Sequence, residues 1–261
     1  MEVKALKFGG LTAKRPIVQG GMGVGVSLSS LAGNVAKCGG IGKENPFRAN
    51  LRAIGNELEK AKEIANGGII GFNFMTVMNH YEEYVKEAIG AGADFIVSGA
   101  GLPVNLAKYA AGTRAAILPI VSSARALKLI VKQWQRADRL PDAVVVEGPL
   151  AGGHLGYPYG HLVDGTFDTL EDSLVDVADY VRELEEKNGV IIPVIAGGGV
   201  RSHADMERLM ALGASGVQVG TKFVATEECD AAPAFKQAYL RSRKEDVQLI
   251  ESPVGLAARA I

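Results

Sequence analysis

The sequence predicts a (β/α)8 barrel, and three observations carry that prediction. Short apolar runs, each closed by glycine or a small polar residue, recur eight times along the 261 residues. The best of them are continuous and β-branched, as strands covered on both faces should be. Between them lie stretches with helical spacing of apolar residues, and eight such alternations fit the length a β/α barrel needs. No linker or shift in composition divides the chain, so residues 1–261 are expected to form a single domain.

Taken in order, the eight candidate strands are PIVQGG (16–21), GGIG (39–42), IIGFNFM (69–75), DFIVSGA (94–100), AAILPIVSS (115–123), AVVVEG (143–148), IPVIAGGG (192–199) and GVQVGT (216–221). GGIG is the shortest and is accepted because the alternation requires a second strand there. After the third run, Tyr81, Tyr84, Val85, Ala88 and Ile89 fall on one helical face. After the seventh, Ser202 and Asp205 stand at capping-box spacing, ahead of the apolar positions Met206, Leu209 and Met210. The longest excursion, 149–180, follows strand six and is expected to cap the mouth of the barrel.

Composition excludes several classes of function. Net charge is −1, so the chain advertises no nucleic-acid or anionic-membrane surface. Cys38 and Cys229 are the two cysteines, with no CxxC spacing, and the four histidines show no HExxH pattern; neither a disulfide framework nor a metal site is expected. Cys38 reads as a small packed hydrophobe rather than a nucleophile. No run reaches the roughly 18 apolar residues of a membrane span, and no secretory h-region opens the chain. The expectation is a soluble cytoplasmic protein.

Thirty-three glycines gather at strand ends rather than in repeats. In barrels of this kind the chemistry sits at the C-terminal ends of the strands, and a phosphate commonly binds the loops after strands seven and eight. Here those loops contain Gly197, Gly198 and Gly199, then Gly220 and Thr221. Backbone N–H groups and the positive end of the next helix suit an anion; tight turns alone are the alternative. The early GGMGVGVS, with Glu44 about twenty residues on, resembles a dinucleotide fingerprint. Its Gly21, Gly23 and Gly25 spell GxGxG rather than GxGxxG, however, and an open dinucleotide fold would leave the late glycines unused. His154 is flanked by Gly152, Gly153 and Gly156, which would let a loop close over a flat ligand. Its alternative is a histidine satisfying loop backbone groups. Glu147, at the end of strand six, would anchor that loop, approach the ligand, or serve structure alone.

Six ordered motifs, PIVQGGMG, FNFM, SGAGLP, EGPLAGGHLG, PVIAGGGV and VQVGTKFVATEEC, together with the closing SPVGLAARAI, resemble the nitronate monooxygenase family, formerly called 2-nitropropane dioxygenases. Those proteins are FMN-dependent barrels, and FMN-dependent enoyl-acyl-carrier-protein reductases share the fold and most of the motifs. The resemblance runs from about residue 14 onward and implies FMN as cofactor. It places Gln19, Gly20, Gly21 and Met22 beside the flavin ring and matches Asn73 to an asparagine that touches FMN. It also assigns Gly198 with Gln218, Val219, Gly220 and Thr221 to the phosphate and His154 to the active-site histidine. Gly153, Glu147, Gly197 and Gly199 complete the expected set.

The implied reaction is oxidation of alkyl nitronates by O2, with His154 as base or orienting residue. NAD(P)H-driven enoyl reduction is the alternative, and a flavin-binding barrel without turnover is a third reading. A small molecule and O2 are the expected partners, with homodimerisation left open. Two departures stand out. Lys43 and Glu44 follow GGIG directly, where the family carries a longer loop before NPF, and the family's pattern continues past the segment that here reads ARAI. One glutamine that contacts the flavin in some members has no clear match in FDTLEDSLVD.

Overall fold

The computed structural model describes residues 4–45 and 51–261. Its elements in chain order begin with β1 (Leu6–Phe8), β2 (Leu11–Ala13), β3 (Ile17–Gln19), α1 (Ser29–Lys37), β4 (Ile41–Glu44), α2 (Leu51–Ala65), β5 (Ile69–Met75), α3 (Tyr81–Gly90) and β6 (Phe95–Gly99). There follow α4 (Leu106–Tyr109), β7 (Ala116–Val121), α5 (Ala124–Trp134), β8 (Val144–Glu147), β9 (Gly153–His154), α6 (Tyr159–Asp164), α7 (Leu170–Asn188) and β10 (Val194–Gly197). The chain closes with α8 (His203–Ala211), β11 (Gly216–Val219), α9 (Thr221–Val224), α10 (Pro233–Arg241), β12 (Gln248–Glu251) and β13 (Ala257–Ala260).

Strands β3, β4, β5, β6, β7, β8, β10 and β11 close into a parallel barrel, one from each of the eight apolar runs. Their alternation splits the core in two. Val18, Ile41, Phe95, Val97, Leu118, Val145 and Ile195 fill the interior, while Phe72, Phe74, Ile96, Ile117, Val144 and Val146 face the helices. Because both faces are covered, the strands read as continuous apolar runs. A closed barrel has no topological switch point, so the dinucleotide alternative for GGMGVGVS is excluded.

The hairpin β1–β2, not foreseen from the sequence, plugs the N-terminal end of the barrel. Leu6 and Phe8 join the interior cluster, and Phe8 meets Phe95 edge to face with ring centroids 6.0 Å apart. At the other end the excursion after strand six is shorter than expected, because α7 already begins at Leu170. Thr169 and Asp172 form a capping box there, and Leu174, Val177 and Val181 bury its face against the barrel. Residues 149–169 therefore make the cap. The cap's strand β9 joins β13 and β12 in a separate antiparallel sheet, with Ala258 opposite His154 and Arg259 opposite Gly153.

Candidate active site at the C-terminal ends of the strands

The register brings the glycine-bearing strand ends together. Gly197 lies opposite both Gln218 and Glu147, and Val219 lies opposite Gln19. Gly20 N–H donates to Val219 O at 2.8 Å, and a Cβ on Gly20 would stand 3.2 Å from Gly220 Cα. Gly21 packs so closely on Asn73 that a Cβ would come within 2.4 Å of its side chain. Met22 Sδ reaches over Gly220. Residues from three loops, 20–22, 197–199 and 219–221, thus form one rim, and Thr221 opens α9 on its exposed side.

Gly198 and Gly199 hold φ of +102° and +81°, and their N–H groups donate to no described acceptor. A side chain at Gly198 would press on the backbone of Gly148 and Ala151 at 3.1 Å. The helix that follows contributes less than its position suggested. The Ser202 hydroxyl accepts from Asp205 N–H, and the Asp205 carboxylate accepts from the N–H groups of Arg201 and Ser202. This capping box fills the α8 terminus with the chain's own negative charge, so the turn, not the helix, offers free donors. Beside the turn, a cleft of about 190 Å³ is lined by Leu150, Leu170, Gly199, Val200 and Arg208.

The cap crosses this rim. Ala151 N–H donates to Gly148 O, Tyr157 OH donates to Glu147 O at 3.2 Å, and Ser122 Oγ donates to Gly156 O at 2.9 Å. These contacts arch residues 149–157 from the end of β8 to the end of β7. His154 and Gly153 ride on that arch, pinned by Leu155 N–H donating to Ala257 O at 2.8 Å. The Arg259 guanidinium donates to Pro149 O at 3.0 Å. His154 is half-buried, its ring bonds to no described group, and burial holds its pKa below the ordinary value.

Beneath the rim the barrel interior turns polar. Gln19 is fully buried, and its carboxamide bridges to Lys43, with Nε2 donating to Lys43 O at 2.9 Å and Oε1 accepting from Lys43 N–H at 3.3 Å. Only Val18 and Ile41 pair between β3 and β4, so this side chain extends the ladder where the strands part. Gln19 is therefore a barrel-closing residue whose polar atoms are already engaged. Lys43 Nζ donates to Gln218 Oε1 at 2.6 Å. Burial lowers Lys43 to about 7 and raises Glu147 to about 7, each opposed by the other's charge. Asn73 is buried with Oδ1 unpartnered.

Sequence reasoning missed Lys43; its signal was a lysine completing an apolar run. It also missed Asp230, whose carboxylate accepts from the N–H groups of Leu28, Ser30 and Leu31 and so fixes the start of α1 behind the 20–28 loop. Cys38 is exposed rather than packed, because α1 ends at Lys37 and turns outward. His80, His161 and His203 are exposed.

The profile described as nitronate monooxygenase matches residues 43–261. The chain belongs to the nitronate monooxygenase family. A probable nitronate monooxygenase of Staphylococcus haemolyticus (strain JCSC1435) is 35% identical over 120 residues, which cover 46% of this chain and 31% of that one. One from Bacillus subtilis (strain 168) is 32% identical over 124 residues, 48% of this chain and 33% of that one. The matches thus span about a third of these relatives' length. Among solved structures, FabK from Thermotoga maritima superposes with a TM-score of 0.78 at 26% identity, covering 95% of this chain and 71% of that one. Nitroalkane oxidase from Streptomyces ansochromogenes gives 0.76 at 22% identity, covering 94% and 76%, and shows the shared fold.

Proposed function

We propose that this family member is an FMN-dependent enzyme that oxidises alkyl nitronates with O2, with residues 1–261 acting as one unit. The observation that carries the reading is the meeting of the glycine rim and the His154 arch over one end of the barrel. The residues present fit FMN. Gly198 and Gly199 offer unengaged N–H donors to a phosphate, with Gly220 and the Thr221 hydroxyl beside them. The side-chain-free strip Gly20–Gly21 and the orphaned Asn73 Oδ1 suit a flat ring with polar edges. When bound, FMN supplies the electron acceptor that proteins' own side chains lack.

What the chain's residues do follows from their environment. A His154 ring kept neutral by burial has one nitrogen free to accept a proton from the carbon next to a nitro group. Its other N–H can hydrogen-bond an anionic nitronate oxygen. The arch's two-sided pinning by β13 and Ser122 sets the height of the imidazole. Glu147 fixes the arch through its backbone carbonyl, and its carboxyl balances Lys43 beneath.

The test is anaerobic. Purified protein loaded with FMN should lose its flavin absorbance on addition of an alkyl nitronate and recover it with O2. Bleaching by NADPH with turnover of a crotonyl thioester would assign the enoyl-reductase reaction instead. No response to either would leave a flavin-binding barrel without turnover. His154→Ala should slow the nitroalkane reaction by about 10²–10⁴-fold, the range for loss of a general base.

A further inference from the structure

Lys43 has no part in the chemistry above, yet the fold encloses its ammonium completely, at 0% exposure, in the layer below the rim. Three strands contribute side chains at this level: Lys43 on β4 and Gln218 on β11, which are hydrogen-bonded, and Glu147 on β8, whose charge acts on the ammonium. An ammonium carries donors only, so it can engage the Gln218 carboxamide only through Oε1. That choice turns the NH2 the other way, beside Gly197, where a Cβ would lie 3.4 Å from Gln218 Nε2. This NH2 donates to no described residue and stands where the 197–199 turn begins.

We infer that Lys43 is a positioning residue that holds Gln218 as a fixed N–H donor, backed by positive charge, for the acceptor edge of a planar redox ligand that becomes more negative on reduction. The inference rests on the flavin reading above. Two-electron reduction of a flavin by dithionite, with uptake of one proton, leaves negative charge on the ring's N–C=O edge, and a donor backed by an ammonium favours that form over the oxidised one. Among the described residues, the charge that acts on the ammonium is that of Glu147.

The experiment measures FMN affinity in both oxidation states by titrating apo-protein, with and without dithionite. Lys43→Met should lower the preference for reduced over oxidised FMN by about tenfold, a fall of about 30 mV in the two-electron midpoint. Because Lys43→Met leaves Glu147 without its counter-charge, the same step is also taken on Glu147→Gln, comparing E147Q with the K43M/E147Q double variant; the same loss is expected. A purely structural lysine would weaken both forms alike, and an unchanged ratio in either background overturns the inference. Wild-type protein that takes up neither form of FMN overturns the flavin reading itself, an outcome distinct from an unchanged ratio.

Discussion

Val24 stands at φ 57° between Gly23 and Gly25 with 71% of its surface exposed. A β-branched side chain in the left-handed region is strained, and here little packing offsets the strain. Val24→Gly should therefore raise thermal stability by about 1 kcal/mol. A melt that is unchanged or lower would show that the loop gains something from this side chain. Glu44 makes the opposite kind of prediction. Burial first, then the charges of Glu57 and Asp230, raise its pKa from 4.5 to about 8. Between those values the folded state holds a proton that the unfolded chain has released, so stability falls as pH rises across this window. Glu44→Gln should remove up to about 1.4 kcal/mol of that fall per pH unit, measured by urea unfolding at several pH values. His154 has the sign of a lowered base: its proton-accepting form persists below the ordinary histidine range and is lost only as pH drops through the depressed value. A rate that depends on this imidazole as a base should hold steady above pH 6.5 and decline at lower pH.

Strand β13 carries the main prediction among the elements. It is the central strand of the small sheet and holds the His154 strand in register. Proline is poorly accommodated in a central strand, so Ala258→Pro should speed amide hydrogen exchange at Leu155 while leaving β5 and β6 protected. Equal protection in the variant would mean the arch is held by Ser122 and Tyr157 without it. This element also marks the limit of what the sequence made legible. The eight barrel strands were readable because burial on both faces leaves unbroken apolar runs, and the α8 cap was readable from Ser202 and Asp205. β1, β2, β12 and β13 were not, since segments of three or four residues such as LKF and AARA carry no period of their own. Their strand identity comes from the hairpins they close, β1 with β2 and β12 with β13, and from the pairing of β13 with β9.

At the scale of the whole molecule, the barrel brings residues 19–22, 73, 147, 197–199 and 218–221 to one end because its eight strands run the same way. That grouping was legible from motif order. The condition of the side chains was not: Gln19 serves the β4 backbone, and Lys43 lies inside the barrel, because one register pair between β3 and β4 leaves ladder groups to be satisfied. The glycine turn is part of the same architecture. Gly198→Ala places a Cβ against two neighbouring backbones at φ +102°. It should cost about 1–3 kcal/mol of stability and weaken FMN binding more than it weakens the fold, as calorimetry with and without FMN would show. The most direct measurement is a crystal structure of the protein with FMN. The account predicts the phosphate on the N–H groups of Gly198 and Gly199 beside Gly220 and Thr221, with the ring beneath His154. A phosphate bound elsewhere, or an imidazole turned away from the ring, would contradict it.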